Sequence, residues 1–315
     1  MKVTPVQPLV FEPLFLERVW GGRRLETLLG KKLPTGKKIG ESWEIVDRAE
    51  AQSVVRHGPL KGKTLHELWR DHRAEIFGKM MPAAPRFPIF AKLLDAEDKL
   101  SLQVHPDAET ARALGGESKT EMWYVLEGGE IYSGLRRGVD RRQLEQALQA
   151  GRAADLVHRF EVKIGDALFV PSGRLHAIGA GNLLIEIQEN SDTTFRLFDW
   201  NRAAADGSPR RLQIEEALQS IDFDDFEPEV IRSPNDEELV RCPQFVVEQW
   251  QLREGRRASD EAAFALFVCL HGAVEVNTLQ IVPGEFFLVP AHAAGSELQP
   301  TAPGTSLLRI ALPVR

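Results

Sequence analysis

Two stretches of this 315-residue chain repeat one frame of glycines and a proline. In the first, Glu121 is followed after six residues by Gly128, and Gly165 is followed after five by Pro171, then by Gly173 and His176. In the second, Gly272 stands for Gly128, Gly284 for Gly165 and Pro290 for Pro171, whereas Ala265 replaces Glu121 and Gly295 replaces His176. Matched turn residues at matched intervals call for the same strand-and-turn unit built twice, and only the first copy carries polar groups within the frame.

Between the turns the segments are short and either apolar or alternating: 42–47 (SWEIVD), 53–58, 88–94 (PIFAKLL), 99–105 (KLSLQVH), 121–128 (EMWYVLEG), 166–171, 182–190 (NLLIEIQEN), 264–272, 284–291 and 305–313. Such runs predict antiparallel strands in a sandwich or barrel. Residues 63–78 place Leu65, Leu68, Trp69, His72 and Ile76 at helical spacing, and two further short helices are predicted over 140–151 and 211–220. The acidic stretch 222–238 reads as a linker.

Composition narrows the class. With 43% hydrophobic and 27% charged residues the chain is a globular protein. Its formal charge of -7 argues against nucleic acid or an anionic membrane as partner, so any basic residues that bind an anion must be gathered locally. Cys242 and Cys269 form no CxxC pattern and read as free thiols in a reducing compartment. The first fifteen residues hold three prolines and an acid where a secretory signal needs an apolar run, and no 18-residue apolar run follows. A cytoplasmic location is expected.

Gln103 and His105 alternate along one predicted strand, so their side chains leave the same face before Pro106 ends it. With Glu121 and His176 they offer one carbonyl oxygen, two imidazoles and one carboxylate. That mixed set suits zinc or another borderline divalent ion, and the absence of thiolates argues against a purely structural zinc site. A single histidine at a strand end is more often a hydrogen-bonded structural residue; the joint spacing and the ligand-free second copy carry the metal reading. His57, His66, His72, His158, His271 and His292 lack this context and read as surface or structural.

The run GDALFVPSGRLH (165–176) resembles the second signature of the cupin superfamily, and Gln103-Val104-His105 with Glu121 to Gly128 resembles the first. Residues 106–120 form an unusually long insertion between them. The resemblance implies a mainly β protein of tandem jelly-roll barrels with short helical insertions: a catalytic unit over 1–221, and a degenerate unit over 239–315 that covers a sheet edge as scaffold. VWGG (19–22), IGESWE (39–44), 87–107, KTEMWYVLEG (119–128), PSGRLHAIGAG (171–181) and SDTTFRLFDWNR (191–202) narrow it further. They resemble type I mannose-6-phosphate isomerases of the short bacterial form over residues 10–205. An aromatic residue of longer members is replaced by Ile178, and their large helical domain is missing.

This resemblance implies one zinc per chain, or another divalent ion, held by Gln103, His105, Glu121 and His176, with Arg196 as a catalytic cation. The implied substrate is a small sugar phosphate, and the reaction interconverts mannose 6-phosphate and fructose 6-phosphate through a cis-enediol. Charge developing on O1 and O2 is then stabilised by the ion and by a fixed guanidinium. Glu186, Lys119 and a metal-bound water are the candidate proton carriers. Ser101 and Lys119 share faces with Gln103 and Glu121 and are expected at the phosphate, with Arg202 as a second guanidinium and Lys92 as a weaker addition. Trp20, Trp43, Trp123 and Trp200 line the pocket or fill the core. The chemistry leaves two other readings open: a metal-dependent oxygenase, because two histidines and a carboxylate resemble a facial triad, and a non-catalytic sugar-phosphate-binding module. The oligomeric state is not legible.

Overall fold

A computed structural model describes residues 7–202, 210–232, 237–259, 263–293 and 295–313. The first six residues of the stretch read against a secretory signal, and residues 233–236 of the acidic stretch, lie outside these ranges. The first unit pairs two antiparallel sheets. The larger runs in the order Leu14–Gly22, Ile39–Ile45, Ile89–Ala96, Asn182–Glu189, Glu121–Glu127, Asp166–Val170 and Ile231–Arg232. The smaller runs Phe195–Phe198, Leu102–Val104, His176–Ile178, Glu130–Leu135 and Val157–Glu161. Among the described residues no ladder joins the two sheets, so the expected jelly roll is present but the barrel does not close.

Alternation along the large sheet sorts its side chains into two sets. Ile89, Ala91, Leu93, Met122, Tyr124, Leu183, Ile185 and Ile187 face outward into one apolar cluster. Leu94, Trp123, Val125 and Leu184 face inward and meet Ile131 and Ile178 of the small sheet. Lys92, Glu121 and Glu186 keep step with the inward set, which brings charge into the space between the sheets.

The repeat is structural as well as sequential. Glu121 pairs with Val170, the residue before Pro171, and Ala265 pairs with Val289, the residue before Pro290. Gly165 and Gly284 take positive φ of 88° and 80° at the matching turns, a conformation that costs glycine little and a residue with a Cβ much more. The second copy likewise has a five-stranded sheet and a four-stranded one. Its inner face is filled by Ala265, Phe267, Cys269, Phe287, Val289 and Leu307, so an apolar core stands where the first copy has charge.

The second copy was expected to cover an edge of the first sheet; it covers the outer face instead. Leu266, Val268, Phe286, Leu288, Leu308 and Ile310 belong to the same cluster as the outward residues of the large sheet, together with Leu65, Leu68, Trp69 and Phe77. A face buried on this scale is apolar at every alternate position, whereas an edge would need only capped backbone groups.

Two other expectations change. The helix read over 63–78 stops sooner: an α-helix spans Leu65–Asp71 under a Thr64–Glu67 capping box, and a single π turn follows over Arg73–Phe77. The acidic stretch read as linker belongs in part to the first unit. Arg174 holds Asp225 through two hydrogen bonds of 2.6 and 2.8 Å, and Ile231–Arg232 is the edge strand beside Asp166–Val170. Asp225 is the partner of the half-buried Arg174, which composition alone does not distinguish from solvated charge. Among the described residues, no helix is long and apolar enough to cross a membrane.

Because both copies share one core, they are expected to unfold together. Phe264 is 1% exposed and its ring lies 5.5 Å from Phe77 and 5.4 Å from Phe87. Phe264→Ala should cost about 3 to 5 kcal/mol in urea unfolding while keeping a single transition. Two separated transitions in the unmodified protein would show that the copies fold independently.

Candidate metal centre and active site

The two sheets converge on one cluster. Glu121 opens its strand on the large sheet, while His176 and Gln103 are register partners on the small one and His105 lies one residue past that strand. His105 Nε2 lies 3.4 Å from Glu121 Oε2, and His176 Nε2 lies 3.5 Å from Glu121 Oε1. Ligand atoms from the three residues fall within 4.8 Å of one another, and each of the three side chains is about 1% exposed.

The backbone fixes which nitrogen points inward. His105 Nδ1 donates to the Thr193 carbonyl and His176 Nδ1 to the Arg174 carbonyl, both at 2.9 Å, which leaves each Nε2 lone pair facing Glu121. Burial, and then the Lys119 charge, push His105 down to about 4; burial likewise lowers His176. Both imidazoles are therefore neutral at pH 7. Burial alone would raise the Glu121 carboxyl, but the Lys119 ammonium holds it well below the usual carboxylate range.

Neutral imidazoles beside an ionised carboxylate are donors of the kind that hold a divalent ion. Among the described residues His105 Nε2 and Glu121 Oε1 are buried without a hydrogen bond, while Glu121 Oε2 meets the Lys119 ammonium at 2.8 Å; the first two are costly to maintain unless another group satisfies them. A divalent ion fits that need. Gln103 lies beside this group, its Nε2 3.4 Å from His176 Nε2 and its Oε1 accepting from Ser101 Oγ at 3.2 Å; turning the amide over exchanges the two atoms.

Further inward-facing residues surround the cluster. Lys119 Nζ lies 2.8 Å from Glu121 and 3.5 Å from Glu186, and Lys92 Nζ lies 2.9 Å from Glu186. Trp123 Nε1 donates to Glu186 at 3.0 Å. Arg196 pairs with Gln103 across the strands, and its guanidinium makes no side-chain hydrogen bond or ion pair among the described residues. Burial, then Arg210, lower its pKa, so its charge stands in surroundings that favour an anion.

Arg202 is placed differently. Its guanidinium pairs with Asp199 at 2.5 Å and Asp98 at 3.3 Å and donates to the Lys99 carbonyl at 2.6 Å, so it is engaged in holding the chain turn after Arg196. Trp20 and Trp43 are core residues, and Trp200 donates to the Leu100 carbonyl. Sequence reasoning missed Glu41, which takes hydrogen bonds from Arg18 and Trp43. Its alternation with Trp43 in IGESWE was the available signal. A cleft of about 800 Å3 lies elsewhere, between the copies beside Glu117, Ser118 and Glu189, and does not include the ligand set.

An unclosed jelly roll with two neutral imidazoles and a buried carboxylate between its sheets defines a metal-binding cupin. The model of the phosphomannose isomerase type I catalytic domain matches residues 9–130. A probable mannose-6-phosphate isomerase of Bacillus subtilis, GmuF, is 37% identical over 300 residues, covering 90% of this chain and 94% of its own. The crystal structure of mannose 6-phosphate isomerase from Bacillus subtilis superposes with a TM-score of 0.87 at 30% identity, over 97% of this chain and 99% of that one. A zinc-bound mannose 6-phosphate isomerase structure, 15% identical, shares the fold with a TM-score of 0.77 over 97% of this chain and 99% of that one. The chain belongs to the type I phosphomannose isomerase family. The oxygenase and pure binding-module readings find no support among these relatives.

The histidine burial sets a pH dependence. His105 titrates near 4 in the folded chain against 6.5 ordinarily, so between those values the unfolded chain binds more protons. Stability is then full above pH 6.5 and falls as the pH drops toward 4. Urea midpoints of chelator-treated protein should decline across that window; in His105→Ala the decline should shrink, and metal content by elemental analysis should fall below a tenth of normal. A His105→Ala protein with full metal content would remove this residue from the site.

Proposed function

We propose that the chain interconverts mannose 6-phosphate and fructose 6-phosphate through a cis-enediol at a zinc centre held by Gln103, His105, Glu121 and His176. The observation that carries this is the pairing of that convergent ligand set with a buried carboxylate, Glu186, flanked by two ammonium groups. The donors are two nitrogens and two oxygens with no thiolate, which suits zinc in a catalytic rather than a structural role. A divalent ion bound there supplies Lewis-acid stabilisation of the charge that develops on O1 and O2.

The protein's own groups do the rest. Glu186 is the proton carrier: its carboxylate takes the proton from C2 of the aldose and returns it to C1, and the reverse reaction uses the same path. Lys119, bridging Glu121 and Glu186, is placed as a donor to the sugar oxygens. Arg196 adds a fixed positive charge where the enediol gains negative charge, and its pKa keeps it from acting as a base. Ser101 Oγ, on the face of Gln103, serves the phosphate together with Lys119. Arg202 supports this wall through Asp199 rather than touching the substrate. A cytoplasmic site of action accords with a phosphorylated substrate and two unpaired cysteines, Cys242 and Cys269.

A coupled assay with mannose 6-phosphate, before and after chelation and zinc return, tests the reaction; no turnover in the zinc-loaded enzyme would refute it. Arg196→Ala should lower kcat about 100-fold or more with metal content unchanged, since one preorganised charge contributes roughly 3 kcal/mol to such a transition state.

A further inference from the structure

An alternating chain of charge runs along the inner face of the large sheet from its rim to the metal ligands. Arg18 Nε donates to Glu41 Oε1 at 2.6 Å, and Glu41 Oε2 lies 4.0 Å from Lys92 Nζ. Lys92 Nζ is 2.9 Å from Glu186, Glu186 is 3.5 Å from Lys119 Nζ, and Lys119 Nζ is 2.8 Å from Glu121. Five adjacent strands supply these groups, with Lys119 standing just before the last of them.

The outer half of the chain is built with care for its geometry. The first strand has register shifts around Glu17, and a Cβ on Gly40 would lie 2.6 Å from both Arg18 Cβ and the Trp20 ring. Glycine at 40 therefore lets Arg18 lie flat across the neighbouring strand and reach Glu41. Trp43 Nε1 fixes the other Glu41 oxygen at 2.6 Å. Burial would raise this carboxyl, yet Lys92 and Arg18 hold it down at about 2, so it is charged at every working pH.

Lys92 is the reason such a support is needed. Its ammonium sits on four rotatable carbons, is 7% exposed, and meets Glu186 at 2.9 Å. A second anion behind it restricts the swing of the stem.

We propose that Arg18 and Glu41 are positioning residues, acting through Lys92 to hold the Glu186 carboxylate where it meets the reacting carbons. This rests on the isomerase reading above and extends it to two residues that never touch the substrate. A merely structural ion pair would look the same in a static picture but behave differently in kinetics.

The test is a double-mutant cycle in the zinc-loaded enzyme with Glu41→Gln, Lys92→Met and the pair together. Glu41→Gln should lower kcat about tenfold, with KM for mannose 6-phosphate within about threefold of normal and metal content unchanged. The double variant should be no slower than Lys92→Met alone, because the effect of Glu41 passes through Lys92. Normal kcat in Glu41→Gln, or losses that multiply in the double variant, would overturn the proposal and leave a structural ion pair. If Glu41→Gln does not fold, Arg18→Ala takes its place: it should lower kcat about threefold or more and have no effect in the Lys92→Met background. Absence of turnover in the unmodified enzyme would instead sink the isomerase reading itself.

Discussion

Charge neutrality between the sheets is the condition on which the rest of this molecule depends. Glu41, Glu121 and Glu186 place three carboxylates in a space otherwise lined by Leu94, Trp123, Val125 and Leu184. Each would cost several kcal/mol to bury alone. Arg18, Lys92 and Lys119 offset them one for one, in an order that never sets like charges side by side. Order matters more than number, since a buried ion stripped of its partner is worse than an apolar replacement of the pair. Deleting one charge consequently leaves its buried partner uncompensated.

The duplication explains how a sheet bearing so much charge on one face stays rigid. Its other face is mainly apolar and packs against the second copy. That copy keeps the same register, with Ala265 where Glu121 stands, and fills its own interior with phenylalanine and leucine. Division of labour follows: the charged interior loses hydrophobic stabilisation, and the shared core between the copies restores it. Reaction geometry is thus supported from behind by packing rather than by more polar contacts.

How much of this was legible follows the same division. Gln103, His105, Glu121 and His176 stood out because their joint spacing matched one motif pair that the second copy lacks, and the structure brings His105, Glu121 and His176 together. Lys92 and Glu41 were harder, since both sit inside runs whose apolar neighbours dominate the pattern; only the parity of IGESWE and PIFAKLL reveals that they face inward. Arg202 was assigned to phosphate through nearness to Arg196 in sequence, but the turn after Phe198 directs it onto Asp199. The helix over 63–78 failed at His72 because apolar spacing reports burial, and burial continues through the π turn where the α pattern ends. The acidic stretch 222–238 misled through composition, for Asp225 is paired with Arg174.

In the ligand set proposed above, Gln103 beside His105, Glu121 and His176 has an electrostatic consequence. Three neutral donors and one carboxylate cancel only half the charge of a divalent ion, where a second carboxylate would cancel all of it. With Glu121 assigned to the ion, the rest of the chain holds Arg18, Lys92 and Lys119 against Glu41 and Glu186, so the surplus is not absorbed nearby. Arg196, without a side-chain partner among the described residues, adds to the same positive field. An interior with this balance attracts a dianionic phosphate and strengthens as an enediolate forms. Replacing Gln103 by an acid would tighten metal binding and weaken that field, which makes a neutral amide the better ligand for a catalyst working on sugar phosphates.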